Sequence, residues 1–275
     1  MNSIKAPILH FGFLFTTFIT RRPEMTKLKA VFWDVDGTIA DTEMFGHRIA
    51  FNRAFQDFNL DFCWDQDIYK KLLEVSGGAS RIRHYLNNIG KDLTDNKIKE
   101  IHRTKKKYYK SIVHSGNIPL RKGVHRLVSE LKSRDVHQWI VTTASKESVL
   151  PLVETSFSNL LPLFSGYVTS EDVTHTKPHP EAYLKALSLS GVSSCNTLVI
   201  EDSKIGLESA IQAGLTTLIT PSPWLANTKC KFNTASVVIN DLGDGNQPID
   251  IIKGPKSNIS KVDYLFLEEI VNSSL

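Results

Sequence analysis

Three cysteines in 275 residues, Cys63, Cys195 and Cys230, are odd in number, far apart and never arranged as CxxC. Such scarcity points to a reducing compartment and to no zinc site. Charge of one sign is also in short supply, since 33 Lys and Arg against 29 Asp and Glu leave a net +4. That surplus suits an anionic small molecule but is a poor basis for nucleic-acid binding. Long apolar runs are missing. The Phe-rich stretch 7–20 is broken by His10 and Gly12 and is followed by no small-x-small cleavage site. It falls short of the roughly 20 residues a membrane helix needs. Residues 1–24 are therefore expected to be an extension outside the folded unit, with a targeting segment as the minority reading. No membrane partner is expected.

What is present is ordinary in bulk: 41% hydrophobic and 23% charged residues describe a globular protein that forms one large domain or a core with an insert. The pattern along the chain favours the insert. An apolar run, Ala30 to Trp33, reads as a buried strand. Residues 43–117 then turn helical, with Phe51, Ala54, Phe55 and Phe58 at helical spacing and further helices expected over 64–75, 79–89 and 95–113. The basic run Arg103 to Lys110 in the last of these reads as a solvated helix face in preference to a nucleic-acid patch. After residue 118, helices and strands alternate: helix 124–134, strand 137–143, helix 146–155 (short or kinked at Pro151), strand 164–169, helix 180–190, strand 196–200, helix 204–213 and strand 215–220. Alternation of this kind builds a parallel sheet with crossover helices. The expected architecture is an α/β core over 25–42 and 118–250, a helical cap over 43–117, and a linker with a final helix over 251–275. Val262, Leu265, Phe266 and Ile270 are expected to pack that helix on the core.

Chemistry concentrates at the strand ends, where open parallel sheets bind their ligands. The first strand stops in Asp34-Val35-Asp36-Gly37-Thr38. Two acids at the mouth of a buried strand repel each other and resist desolvation, and a hard divalent cation with oxygen ligands is the usual compensation. A strand merely entering a polar turn would look the same taken alone. The next strand ends in Thr143-Ala144-Ser145 and opens a helix, which is either an anion seat or an ordinary N-cap. Lys177 lies in a loop stiffened by Pro178 and Pro180, where it could present a fixed positive charge. A fourth strand ends in Glu201-Asp202-Ser203, the second acidic strand end. A shared magnesium site explains both acidic ends better than helix capping does.

The order and setting of these four pieces resemble the haloacid dehalogenase superfamily of phosphohydrolases, over roughly residues 28–244. The resemblance implies Rossmann-like core topology and Asp34 as nucleophile, attacking phosphorus to give an aspartyl-phosphate. It implies Asp36 as general acid and base, and Thr143 and Lys177 as stabilisers of the transferring phosphoryl group, with Ala144 and Ser145 contributing amides. It also implies a magnesium ion held by Asp34, Asp36 and Asp202, with Glu201 as a further ligand or a helper behind them.

The finer text is similar to the CbbY-like group: Thr38 to Glu43, Gly46-His47-Arg48, Tyr69, Gly77-Gly78 with Arg81, Leu120-Arg121, and Thr220 to Trp224. Members of that group remove the 1-phosphate of xylulose-1,5-bisphosphate, an inhibitory by-product of Rubisco. Arg81 with Gly77 and Gly78 is then expected to grip the far phosphate, and Asp41, His47 and Tyr69 to face the sugar. Asp41 stands where a glutamate is often found, and the step from Glu43 to His47 is one residue longer than in some relatives. The expected partner is a small sugar (bis)phosphate, with the protein a monomer in the cytoplasm, or in the plastid stroma of a plant. Three other readings remain open: a β-phosphoglucomutase, a broad sugar-phosphate or phosphoglycolate phosphatase, and a catalytically silent binding protein on the same fold.

Overall fold

The computed structural model describes residues 27–75, 77–158, 162–224, 232–255 and 258–273. The extension expected over residues 1–24 lies outside the described residues. Strand β1 (Ala30–Trp33) is central and wholly buried. Its side chains alternate between two cores, as a pleated strand requires: Val31 and Trp33 join one cluster, Ala30 and Phe32 the other.

Helices α1 (Arg48–Asp57), α2 (Gln66–Leu72), α3 (Gly78–Asn88) and α4 (Asp95–His114) follow β1 and precede the next strand. They enclose an aromatic core of their own, in which Trp64 packs against Phe51 at 4.7 Å and Phe55 at 4.8 Å between ring centroids. Asn52 of α1 clamps the Trp64 backbone by accepting from its amide and donating to its carbonyl. The expected helical insert is thus present. α2 is shorter than expected because Asp65 caps it, accepting from Ile68 N.

The chain then runs α5 (Val124–Ser133), β2 (His137–Val141), α6 (Lys146–Ser156), β3 (Gly166–Val168), α7 (Glu181–Ser190), β4 (Thr197–Glu201), α8 (Lys204–Gln212) and β5 (Thr216–Ile219). Three further elements close the fold: β6 (Val237–Ile239), β7 (Ile251–Lys253) and α9 (Tyr264–Ser273). The sheet order is β3-β2-β1-β4-β5-β6-β7, parallel throughout except for β7. Successive connections leave β1 in one direction and β4 in the other, so the ends of β1 and β4 flank the crevice where such sheets bind ligands.

Three expectations need correction. β7 occupies residues that read as linker, because a three-residue edge strand carries too short a pattern to detect. Leu265 of α9 is 62% exposed; the buried face is Tyr264, Phe266, Leu267, Ile270 and Val271. Pro151 does not shorten α6, which continues to Ser156. At Pro151, the sixth of its eleven residues, the helix forfeits one backbone bond and runs on.

Gly123 precedes α5 with φ +83°, and a Cβ there would lie 2.3 Å from the Gly243 carbonyl oxygen. Gly123→Ala therefore combines a left-handed backbone with a clash against backbone that cannot swing away. It should lose about 2–4 kcal/mol in urea denaturation, with the slope unchanged.

Candidate active site

At the end of β1 the Asp34 carboxylate accepts from Lys177 Nζ at 2.9 Å and from Thr38 Oγ1 at 3.1 Å. Lys177 also donates to Glu201 at 2.6 Å and to the Val141 carbonyl at 2.8 Å, and lies 4.9 Å from the centre of the Tyr183 ring. Burial pulls its ammonium toward neutrality, but Asp34 and Glu201 outweigh that and hold it above the usual lysine range. One cation thus ties together the ends of β1, β2 and β4.

Glu201 is spent on the protein. One oxygen accepts from Lys177 and from the Tyr183 hydroxyl at 3.1 Å; the other accepts from Asp202 N, Ser203 N and Ser203 Oγ. That exhausts a carboxylate's acceptor sites. Of its two expected roles, the geometry favours the helper. Gly206 makes the room, since a Cβ there would fall 1.8 Å from Glu201 Oε1.

Asp202 contrasts with it. It is 7% exposed, and its carboxylate receives no hydrogen bond from a described residue. Ligand atoms of Asp34, Glu201 and Asp202 lie within 4.8 Å of one another. Burial, followed by repulsion from Glu201 and Asp34, raises Asp202 well above the carboxylate range. Burial and then Glu201 push Asp34 up to about 7, against the pull of Lys177. Three buried carboxylates share Lys177, with the Arg121 charge also acting on Asp202, and this surplus, with an Asp202 carboxylate open to the cavity, is the donor set a hard divalent cation satisfies. Asp34, Asp202 and the Asp36 carbonyl are the groups that would hold it.

The strand ends at Trp33, so Asp36 does not share the orientation of Asp34. Its carboxylate turns toward the cap, accepting from Thr42 Oγ1 at 2.5 Å and facing His47 Nε2 at 3.7 Å. Burial would raise Asp36, but His47, Thr42 and Lys105 together hold it below its ordinary value. His47 stacks on Tyr109 (3.9 Å, 14°), and its Nδ1 accepts from Lys105 Nζ at 2.6 Å. A lysine donor at Nδ1 leaves the neutral ring's proton on Nε2, aimed at Asp36.

Glu43–His47 form a π-helical turn, in which Arg48 N donates to Glu43 O. The basic run is a solvated face at Arg103, Lys106, Lys107 and Lys110, which are exposed, but Lys105 departs from that reading: it is 7% exposed. Its place in the stripe Ile98, Ile101, Lys105, Tyr109 and Ile112 was the sequence signal.

These groups line a cavity of about 720 Å³ between sheet and helical insert. Its floor is Asp34, Asp36, Lys177, Glu201 and Asp202, with Thr143, Ala144 and Ser145 at the start of α6. Ser145 makes no capping bond with its side chain; its hydroxyl pairs with that of Ser148 at 2.9 Å. The cap wall supplies Glu43, His47, Arg81, Lys105, Lys106 and Lys110. Arg81 donates to Glu43 at 3.4 Å, to the Tyr69 hydroxyl at 3.2 Å and to the Val75 carbonyl at 2.9 Å. Two residues expected to face the sugar, Tyr69 and Asp41, and two expected at the far phosphate, Gly77 and Gly78, stand behind that wall. Tyr69 is fully buried and donates to Glu43 at 2.6 Å. Asp41 accepts from Trp224 Nε1 at 2.8 and 2.7 Å. Gly77 precedes α3 with φ +86°, and Gly78 backs onto His102, 2.5 Å from where a Cβ would sit. Glu43, Lys105, Tyr183 and Gly206 were not singled out as site residues from sequence, because their roles depend on partners distant in the chain.

The family model described as haloacid dehalogenase-like hydrolase matches residues 31–220. The chain belongs to that family. It is accordingly a phosphoric monoester hydrolase. It is 37% identical to protein CbbY of Rhodobacter capsulatus over 217 residues, 78% of this chain and 94% of that one. A crystal structure of a CbbY mutant from Rhodobacter sphaeroides in complex with xylulose-(1,5)bisphosphate superposes with a TM-score of 0.67 at 31% identity, covering 78% of this chain and 94% of that chain. A β-phosphoglucomutase of Bacillus subtilis is 25% identical over 199 residues, 68% of this chain and 81% of that one. Among the described residues no helix is long and apolar enough to cross a membrane.

The line Asp36, His47, Lys105 makes Lys105 a positioning residue with a titration of its own. Burial lowers its pKa from 10.5 to about 8. The ammonium that orients His47 is present below that pH and lost above it, so turnover should decline on the alkaline side. Lys105→Met should reduce kcat about tenfold and abolish that limb in a pH–rate profile. Between about pH 8 and 10.5 the unfolded chain holds a proton that the folded chain does not. Wild-type stability should therefore rise with pH across this window relative to Lys105→Met.

Proposed function

We propose that the protein is a magnesium-dependent sugar-phosphate phosphatase that works through an aspartyl-phosphate on Asp34 and removes the 1-phosphate of xylulose-1,5-bisphosphate. The observation that carries this reading is a cavity with two anion-binding ends. Its floor pairs Asp34 with Lys177, and its cap wall presents Arg81, Lys105, Lys106 and Lys110. A ligand with phosphate at both ends meets a cation at each. The similarity to CbbY, one member of which binds that bisphosphate, supports the same substrate.

In this mechanism Lys177 orients the Asp34 carboxylate through Oδ1 and Thr38 steadies Oδ2, so the nucleophile enters the cavity with its rotamer set. Asp36 is the acid–base group: ionised in this geometry, it takes a proton from the attacking water, and in its protonated form it serves the leaving sugar oxygen, with His47 holding its carboxyl at the cap side. Thr143 and the amides at the start of α6 receive the phosphoryl oxygens. A bound magnesium ion would neutralise charge on the transferring group. Arg81, fixed by Glu43 and Tyr69, is the seat for the far phosphate, with Gly77, Gly78 and Asp41 shaping the cap behind it. The protein acts as a monomer, in a reducing compartment such as the cytoplasm or plastid stroma that suits free Cys63 and Cys195.

Phosphate release with and without magnesium should be measured on xylulose-1,5-bisphosphate, ribulose-1,5-bisphosphate, β-glucose 1-phosphate and phosphoglycolate. The expected result is magnesium-dependent release with strong preference for the xylulose compound and none from Asp34→Asn. Conversion of β-glucose 1-phosphate without release would make the enzyme a mutase and discard this substrate. Asp202→Asn should raise the magnesium concentration for half-activation at least tenfold with the fold intact.

A further inference from the structure

The loop that carries Lys177 presents a second cluster of ligand groups on its outer side. His175, His179 and Glu181 each offer a donor atom, and these atoms lie within 4.8 Å of one another. His175 Nδ1 is 2.9 Å from Glu181 Oε2, and His179 Nδ1 is 3.9 Å from the same oxygen. The two rings are 4.6 Å apart at 35°. None of these three residues touches the cavity of the catalytic centre.

The cluster is held in place before any ion arrives. Glu181 accepts from Thr174 N at 2.7 Å and from His175 N at 2.9 Å, which fix its carboxylate beside both rings. The His179 backbone is anchored on both sides: its amide donates to Thr176 O at 3.1 Å, and its carbonyl accepts from Ser209 Oγ of α8 at 2.7 Å. Both imidazoles are solvent-accessible, with side-chain exposures of 63% and 51%, so an ion reaches them without opening the fold.

We propose that His175, His179 and Glu181 form a binding site for a divalent transition-metal ion, with zinc the representative. Two imidazole nitrogens and one carboxylate oxygen select borderline ions such as zinc, nickel or copper over magnesium, which prefers oxygen ligands alone. Water completes the coordination. The ion clips His175–Glu181 into one ring, and that ring contains Lys177. Zinc bound here therefore stabilises the segment that holds the site's buried cation, and it does so outside the cavity. Counting cysteines, the basis on which zinc was set aside from sequence, is blind to a histidine–glutamate set.

The test is zinc titration of the full chain in saturating magnesium, by competition with a chromophoric chelator. The background is Asp202→Asn, which weakens the carboxylate centre. About one equivalent of zinc should bind, and the same variant should melt at a higher temperature with zinc than without. His175→Gln and His179→Gln, both at exposed positions, should each weaken zinc binding about tenfold or more and remove the thermal shift, with circular dichroism unchanged. Zinc affinity in the histidine variants equal to that of the Asp202→Asn background would overturn the proposal. So would the absence of binding at about 100 µM zinc, a concentration that exceeds the dissociation constants expected of a three-ligand site. Because each readout is independent of turnover, the result stands whichever substrate the enzyme uses.

Discussion

The buried ammonium of Lys177 is the contact on which the rest of the site depends. It meets Asp34 from β1, Glu201 from β4 and the Val141 carbonyl from β2. These three strands are neighbours in the sheet, and without a cation their ends would place two carboxylates and a carbonyl around a dry pocket. Breaking a buried pair of this kind costs about 3–5 kcal/mol. Stability and catalytic geometry are therefore not separable here. The same bond that lowers the energy of the fold points Asp34 into the cavity. Glu201, fully bonded, fixes Lys177, and Gly206 leaves Glu201 its space.

The second constraint comes from the cap side. Asp36 belongs to the core, yet its carboxylate is governed by Thr42, His47 and, through His47, Lys105. The π-helical turn Glu43–His47 sets the imidazole within reach of Asp36. Asp41, at the junction of core and cap, is held by Trp224 from the loop after β5. The surroundings of the Asp36 carboxylate thus come from both the core and the helical insert.

Much of this was legible in the chain. The apolar runs ending in Asp34, in Thr142 and Thr143, and in Glu201 and Asp202 identify strand ends without any coordinates, because a buried strand must change character where it meets solvent. Lys177 was legible because prolines mark its loop. Lys105 was not. Its neighbours are lysines, and only its place on the apolar stripe of α4 separates it from them. Leu265 misled for the opposite reason, an apolar residue on the outward side of a short helix. The short strands β6 and β7 were invisible because three residues cannot display a period.

The division follows the range of the forces. Hydrophobic period, chain-breaking residues and acids at strand ends are local properties, so the α/β alternation, the inserted helices and the placing of Asp34 and Asp202 at strand ends and of Lys177 in a proline-marked loop were determined by the sequence alone. Which carboxylate is exhausted and which is left open was decided by tertiary structure, as was the burial of one lysine among several. So was the meeting of His47 with both Asp36 and Lys105. Hydrogen-bond saturation and desolvation depend on what the rest of the chain brings within about 3 Å, and no stretch of sequence read by itself contains that distance.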